Sequence, residues 1–162
     1  MVSNSGYAVI IGVDDYSSFG PGADLKGSRE DVLKLYWFAR VLLGLPPENI
    51  RVLASPPLTA AEFYMTSPPP PEMSGEATQA SIQAGGTWLA GRLAADGAAP
   101  GLLTFSGHGS YSKTQGPLLC PADVGADLAK GIAVRDLSRM ESLQAVRERL
   151  TVVLDCCHVV GD

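Results

Sequence analysis

The chain has 162 residues, with 12 Lys and Arg against 17 Asp and Glu for a net charge of -5, and 46% of its residues are hydrophobic. That length fits one domain, 1–162, able to bury roughly 70% of the surface its unfolded chain exposes, and the acidic balance excludes the broad positive field of a nucleic-acid or anionic-membrane binder. No apolar stretch reaches membrane-spanning length, the N-terminus lacks the pattern of a secretory signal, and three cysteines, two of them adjacent, do not make a disulfide framework, so a cytoplasmic protein using thiol chemistry is expected.

In chain order, Tyr7 to Val13 is a buried-strand pattern with Gly12 where a backbone or ligand can approach closely. Ser17 to Gly27, rich in glycine, reads as a surface loop. Ser28, with Asp31 three residues on, reads as a capping-box-like helix start, and Val32, Leu35, Tyr36, Ala39, Leu42 and Leu43 recur at helical spacing until Gly44 and Pro46 stop the helix. Ile50 to Ala54 is a second strand, so residues 7–54 form a βαβ unit and the sheet is expected to be mainly parallel. The proline-rich stretch 55–76 excludes a regular helix or a central strand and reads as a stiff surface excursion.

A second helix is expected from about Ala77 with Ile82, Leu89 and Leu93 on one stripe, weakened by Gly85, Gly86 and Gly91. Leu102 to Phe105 is the third strand, and Gly116 to Asp127 reads as an irregular loop or hairpin. Leu137, Met140, Leu143 and Val146 mark a third helix over Arg135–Arg149, leading into a fourth strand, Leu150 to Leu154, whose continuous β-branched run suits burial on both faces. The whole reads as a three-layer α/β/α sandwich with a mainly parallel sheet in strand order 2-1-3-4.

Chemistry gathers where two of these strands stop. Leu102 to Phe105 empties into Ser106-Gly107-His108-Gly109, and Leu150 to Leu154 into Asp155-Cys156-Cys157-His158. In open α/β sheets the groups that act on ligands lie beyond the carboxyl ends of the strands, and an imidazole beside a thiol there activates it as a nucleophile. Three consecutive residues, Cys156, Cys157 and His158, cannot readily aim at one tetrahedral zinc. No metal or cofactor is expected, and calcium dependence is not readable from the residues. Either motif alone is satisfied by a structural role, a buried cysteine or a histidine closing a glycine turn; the two together favour catalysis.

Tyr7-Ala8-Val9-Ile10-Ile11-Gly12, Leu25-Lys26-Gly27-Ser28-Arg29-Glu30-Asp31, Ser106-Gly107-His108-Gly109 and Leu154-Asp155-Cys156-Cys157-His158, in that order, resemble the large-subunit region of the caspase-like cysteine peptidases, and within them the bacterial caspase homologues and metacaspases. The resemblance implies His108 as general base and Cys157 as nucleophile. The family's further strands after the nucleophile are absent from 1–162, so a small subunit or C-terminal half is expected to complete the sheet. The chain reads His158-Val159-Val160-Gly161 where the family often has His-Ser-Gly. Backbone N–H groups of Gly109 and Cys157 are the expected oxyanion donors. Asp155, two residues before Cys157, and Asp31, opening a helix at the same edge, are expected to face one S1 pocket; in metacaspase-like relatives the matching acids accept arginine or lysine. The reading is therefore an endopeptidase acting on protein or peptide substrates after basic residues, through a thioester acyl-enzyme. The alternative is a degenerate caspase-like module kept for interaction or regulation.

Overall fold

The computed structural model describes residues 6–63, 75–139 and 146–160. Four strands, β1 (Tyr7–Val13), β2 (Ile50–Ser55), β3 (Gly101–Ser106) and β7 (Leu150–Asp155), form one sheet in the order β2-β1-β3-β7, with every neighbouring pair parallel. This is the expected 2-1-3-4 order. Strand alternation divides the core in two. Val9, Ile11, Val13, Leu103 and Phe105 face helix α2 (Gln79–Ala95) with its Ile82, Leu89 and Leu93, whereas Ala8, Ile10, Val52 and Ala54 face helix α1 (Ser28–Trp37) with its Val32 and Tyr36. Helices therefore cover both faces. A second sheet, β6-β5-β4-β8, is built from β4 (Gly109–Ser112), β5 (Gly116–Leu119), β6 (Ile132–Ala133) and β8 (His158–Val160). It extends the carboxyl edge of the first. Strand β5 falls within the loop or hairpin expected over Gly116 to Asp127, whereas β4, which follows His108 directly, β6 and β8 are additional.

Several local expectations give way to longer-range contacts. Ser28 and Asp31 do not cap α1: the Asp14 carboxylate, at the end of β1, accepts the N–H groups of Ser28 at 2.9 Å and Arg29 at 3.3 Å. A carboxylate at a helix N-terminus satisfies orphan donors and the helix dipole together, and here it also ties α1 to the strand it crosses. Gly12 permits that crossing, since a methyl there would collide with the Ser28 carbonyl and Val32. The helix does not continue regularly to Leu43. Residues Phe38–Leu42 form a π-turn that ends at Gly44 in the left-handed region, leaving Leu42 at 61% and Leu43 at 40% exposed rather than packed.

The second helix begins with a full capping box between Thr78 and Ser81. Its Gly85 and Gly86 are buried, with Gly85 close against Val9, so they serve helix–sheet packing. The third helix is shorter than expected. Helix α3 is Val134–Arg139, Met140 and Leu143 lie outside the described residues, and Arg147–Arg149 is a 3₁₀ turn leading into β7. Within the proline-rich excursion Ala60–Phe63 is a 3₁₀ turn, and Pro68 to Pro71 lie outside the described residues. Strand β7 is not buried on both faces. It is the sheet edge, with Val152 45% and Val153 46% exposed. Among the described residues no helix is long and apolar enough to cross a membrane.

Candidate active site

Register aligns the two motifs. Ser106 pairs with Asp155 at the ends of β3 and β7, and Gly109 pairs with His158 at the starts of β4 and β8, with the same sequence offset in both parallel ladders. Gly107 N–H donates to the Asp155 carbonyl at 3.2 Å between them. The backbone of His108 therefore runs level with that of Cys157, one strand spacing of about 4.8 Å away. Neither motif predicts this alone; it follows from the shared register.

His108 is fixed on three sides. Its Nε2 lies 2.7 Å from the Ala23 carbonyl. A carbonyl only accepts, so Nε2 carries the proton and Nδ1 is left as the basic nitrogen of the neutral ring. Its backbone N–H donates to the Tyr16 hydroxyl at 2.7 Å, which in turn donates to the Cys120 carbonyl at 2.9 Å. The His108 carbonyl accepts from Cys120 N–H at 3.0 Å. The Tyr16 ring stacks obliquely on the imidazole at 4.6 Å, with Phe19 at 6.2 Å. Gly107 leaves room for this, because a Cβ there would stand 2.5 Å from the Tyr16 hydroxyl. Tyr16 is wholly buried, and that burial raises its phenol far above the ordinary value. It stays a neutral donor.

The adjacent thiols differ. Cys156 turns inward and packs against the α2-side core, and its burial, with the neighbouring Asp155 carboxylate, pushes its thiol up. Cys157 is exposed. Burial also pushes the Cys120 thiol up to about 11, as expected of a small apolar filler. A thiol that stays protonated is a poor nucleophile, which leaves Cys157 as the accessible one. Gly109 is buried as the first residue of β4, between Leu119 of β5 and His158 of β8. Its N–H therefore lies within a ladder, and substrate reaching it competes with the Gly109–His158 pairing.

The two expected pocket acids do meet one cavity. A space of about 300 Å³ on the α1 side is lined by Asp31, Ser106 and Asp155, and beneath them by Leu35, Thr104 and Val153. Asp31 uses its carboxylate to accept from Ser106 Oγ at 3.0 Å, not to cap its own helix. Alternation explains the grouping: Leu103 and Phe105 face α2, so Thr104 and Ser106 face α1. Ser106 and Thr104 were open to detection as polar residues at a two-residue interval in an apolar strand. Tyr16 and the Ala23 carbonyl carry no such signal. Among the described residues no cluster of three or more His, Cys, Asp or Glu side chains is arranged to hold a metal ion.

A parallel α/β sheet with an exposed thiol and an oriented imidazole level with each other at its carboxyl edge has the layout of a thiol-dependent acyl-transfer site. The family model for the caspase domain, Peptidase C14, matches residues 5–162, and the chain belongs to that family of cysteine peptidases. No curated protein matches the chain.

Proposed function

We propose that the protein is a cysteine endopeptidase that cuts after basic residues, with Cys157 as nucleophile and His108 as base. The observation that carries this reading is the hydrogen bond from His108 Nε2 to the Ala23 carbonyl, because it leaves Nδ1 unprotonated on the residue level with Cys157. His108 Nδ1 takes the Cys157 proton as the sulfur attacks the scissile carbonyl, then returns it to the leaving amine. The thioester that forms is hydrolysed by a water that His108 activates in its turn. The Cys157 and Gly109 N–H groups stabilise the oxyanion once β8 parts from Gly109.

Asp31 and Asp155 in one cavity favour a P1 arginine or lysine, since each charge-assisted hydrogen bond is worth about 1.5 to 3 kcal/mol and an acidic P1 meets repulsion. The exposed edge of β7 fits a small subunit or C-terminal half docking there to complete the sheet, as the family's further strands after the nucleophile would. The free thiols suit a reducing compartment such as the cytoplasm. The test is a matched set of fluorogenic peptides differing only at P1, assayed on the full-length wild type, Asp155→Asn and Asp31→Asn. The reading predicts cleavage after arginine and lysine that falls at least about tenfold in either variant. Preference for P1 aspartate, or unchanged cleavage after arginine in both variants, would overturn it.

A further inference from the structure

The cavity beside Asp155 has two tiers. Ser106 pairs with Asp155, and two residues lower Thr104 pairs with Val153, a step of roughly 7 Å down the strands. On the opposite wall Asp31 stands over Leu35, one helical turn on, and all six residues line the same space. The upper tier is acidic and polar. The lower tier is apolar except for Thr104, which is 1% exposed and whose Oγ1 has no hydrogen-bond partner among the described residues. An unpaired buried hydroxyl is destabilising. A strand interior offers valine the same shape without that cost.

We infer that Thr104 is a specificity-determining residue at the floor of the P1 cavity, accepting a hydrogen bond from the far edge of an arginine guanidinium and so selecting arginine over lysine. This rests on the basic-P1 reading above. A guanidinium carries five N–H donors in a rigid plane. Asp31, already accepting from Ser106, and Asp155 engage the near donors at the upper tier, and an outer N–H reaches Thr104 Oγ1 once that side chain turns about χ1 toward the slot, since the oxygen has essentially no accessible surface in the unliganded cavity. The lysine ammonium is a compact group with three donors on a shorter reach. The two carboxylates hold it at the upper tier, and Thr104 stays unpaired beneath it. Lys34, at the outer wall, does not replace that contact: it is directed to solvent and paired with Glu30 at 3.1 Å.

The experiment measures kcat/KM on paired peptides with P1 arginine or lysine for full-length wild type, Thr104→Val and Thr104→Ser. The expected result is a fall of about tenfold in the arginine-to-lysine ratio of kcat/KM in Thr104→Val, and retention of the wild-type ratio in Thr104→Ser, which keeps the hydroxyl. If Thr104→Val does not fold, Thr104→Ala is read in its place. An unchanged arginine-to-lysine ratio in a folded hydroxyl-less variant, or an equal fall on both substrates, overturns the inference and leaves the basic-P1 reading standing. A wild type that does not cut after arginine overturns both.

Discussion

The chemistry proposed for this site depends on which nitrogen of His108 is free, and residues distant in sequence decide it. Ala23 takes Nε2, so the ring cannot turn without breaking that bond, while Tyr16 and Cys120 hold the two backbone groups in place. Cys120 is a silent member of that set, and its thiol gives a pH test. The unfolded chain releases this proton near the ordinary value of 9.0, the folded chain only near about 11. Across that interval the native state binds more protons, so stability is fully present below pH 9 and falls as pH rises toward 11. Urea denaturation under reducing conditions between pH 8 and 10.5 is expected to show this fall, and Cys120→Ala to flatten it. An identical slope in the variant would remove Cys120 as a cause. His108 and Cys157 were legible in the sequence as candidates because each sits in a short motif at a strand end. Their supporting partners were not, because hydrogen bonds to Ala23 and Tyr16 span 85 and 92 positions and the Ala23 group is main chain, which any residue supplies.

At the scale of elements, the strands were legible and the helix ends were not. Apolar β-branched runs mark β1, β2 and β3 to within a residue or two, since a buried parallel strand has few alternatives. Helix ends respond to partners from elsewhere: Asp14 begins α1, and Arg149 closes α2. The Arg149 guanidinium donates to the carbonyls of Leu93 at 2.8 Å, Asp96 at 2.7 Å and Ala99 at 2.9 Å. These are the last turn of α2 and the loop that enters β3. Arg149 therefore acts from the turn preceding β7, where periodicity alone predicts the end of a helix. Replacing it with alanine removes charge-assisted bonds and leaves carbonyls near a helix terminus without their partner. Arg149→Ala is expected to lose about 2 kcal/mol or more of unfolding free energy in urea, with Arg149→Lys losing less. A loss below about 0.5 kcal/mol, the range of ordinary surface changes, would show that water replaces it fully.

Taken whole, the molecule is a sheet with helices on both faces, an exposed edge at β7, and its candidate reactive groups at the carboxyl end beside that edge. The second sheet was the part least visible in sequence. Strands β4 and β8 are only four and three residues long, too short for alternation to register, yet their pairing continues the β3–β7 offset and keeps His108 level with Cys157. Strand β7 ends at Asp155, and the two cysteines lie in the step between the sheets. There Cys156 packs against the core and Cys157 remains exposed. The central claim is that Cys157, activated by His108, is the nucleophile. It is tested most directly by treating the full-length protein with an arginyl electrophile and mapping the adduct by peptide mass spectrometry. A single adduct on Cys157 is predicted, absent in Cys157→Ala and formed at least about a hundredfold more slowly in His108→Ala, the lower end of what general-base assistance contributes. An adduct on Cys156 in the wild type, or an undiminished rate in His108→Ala, would contradict it.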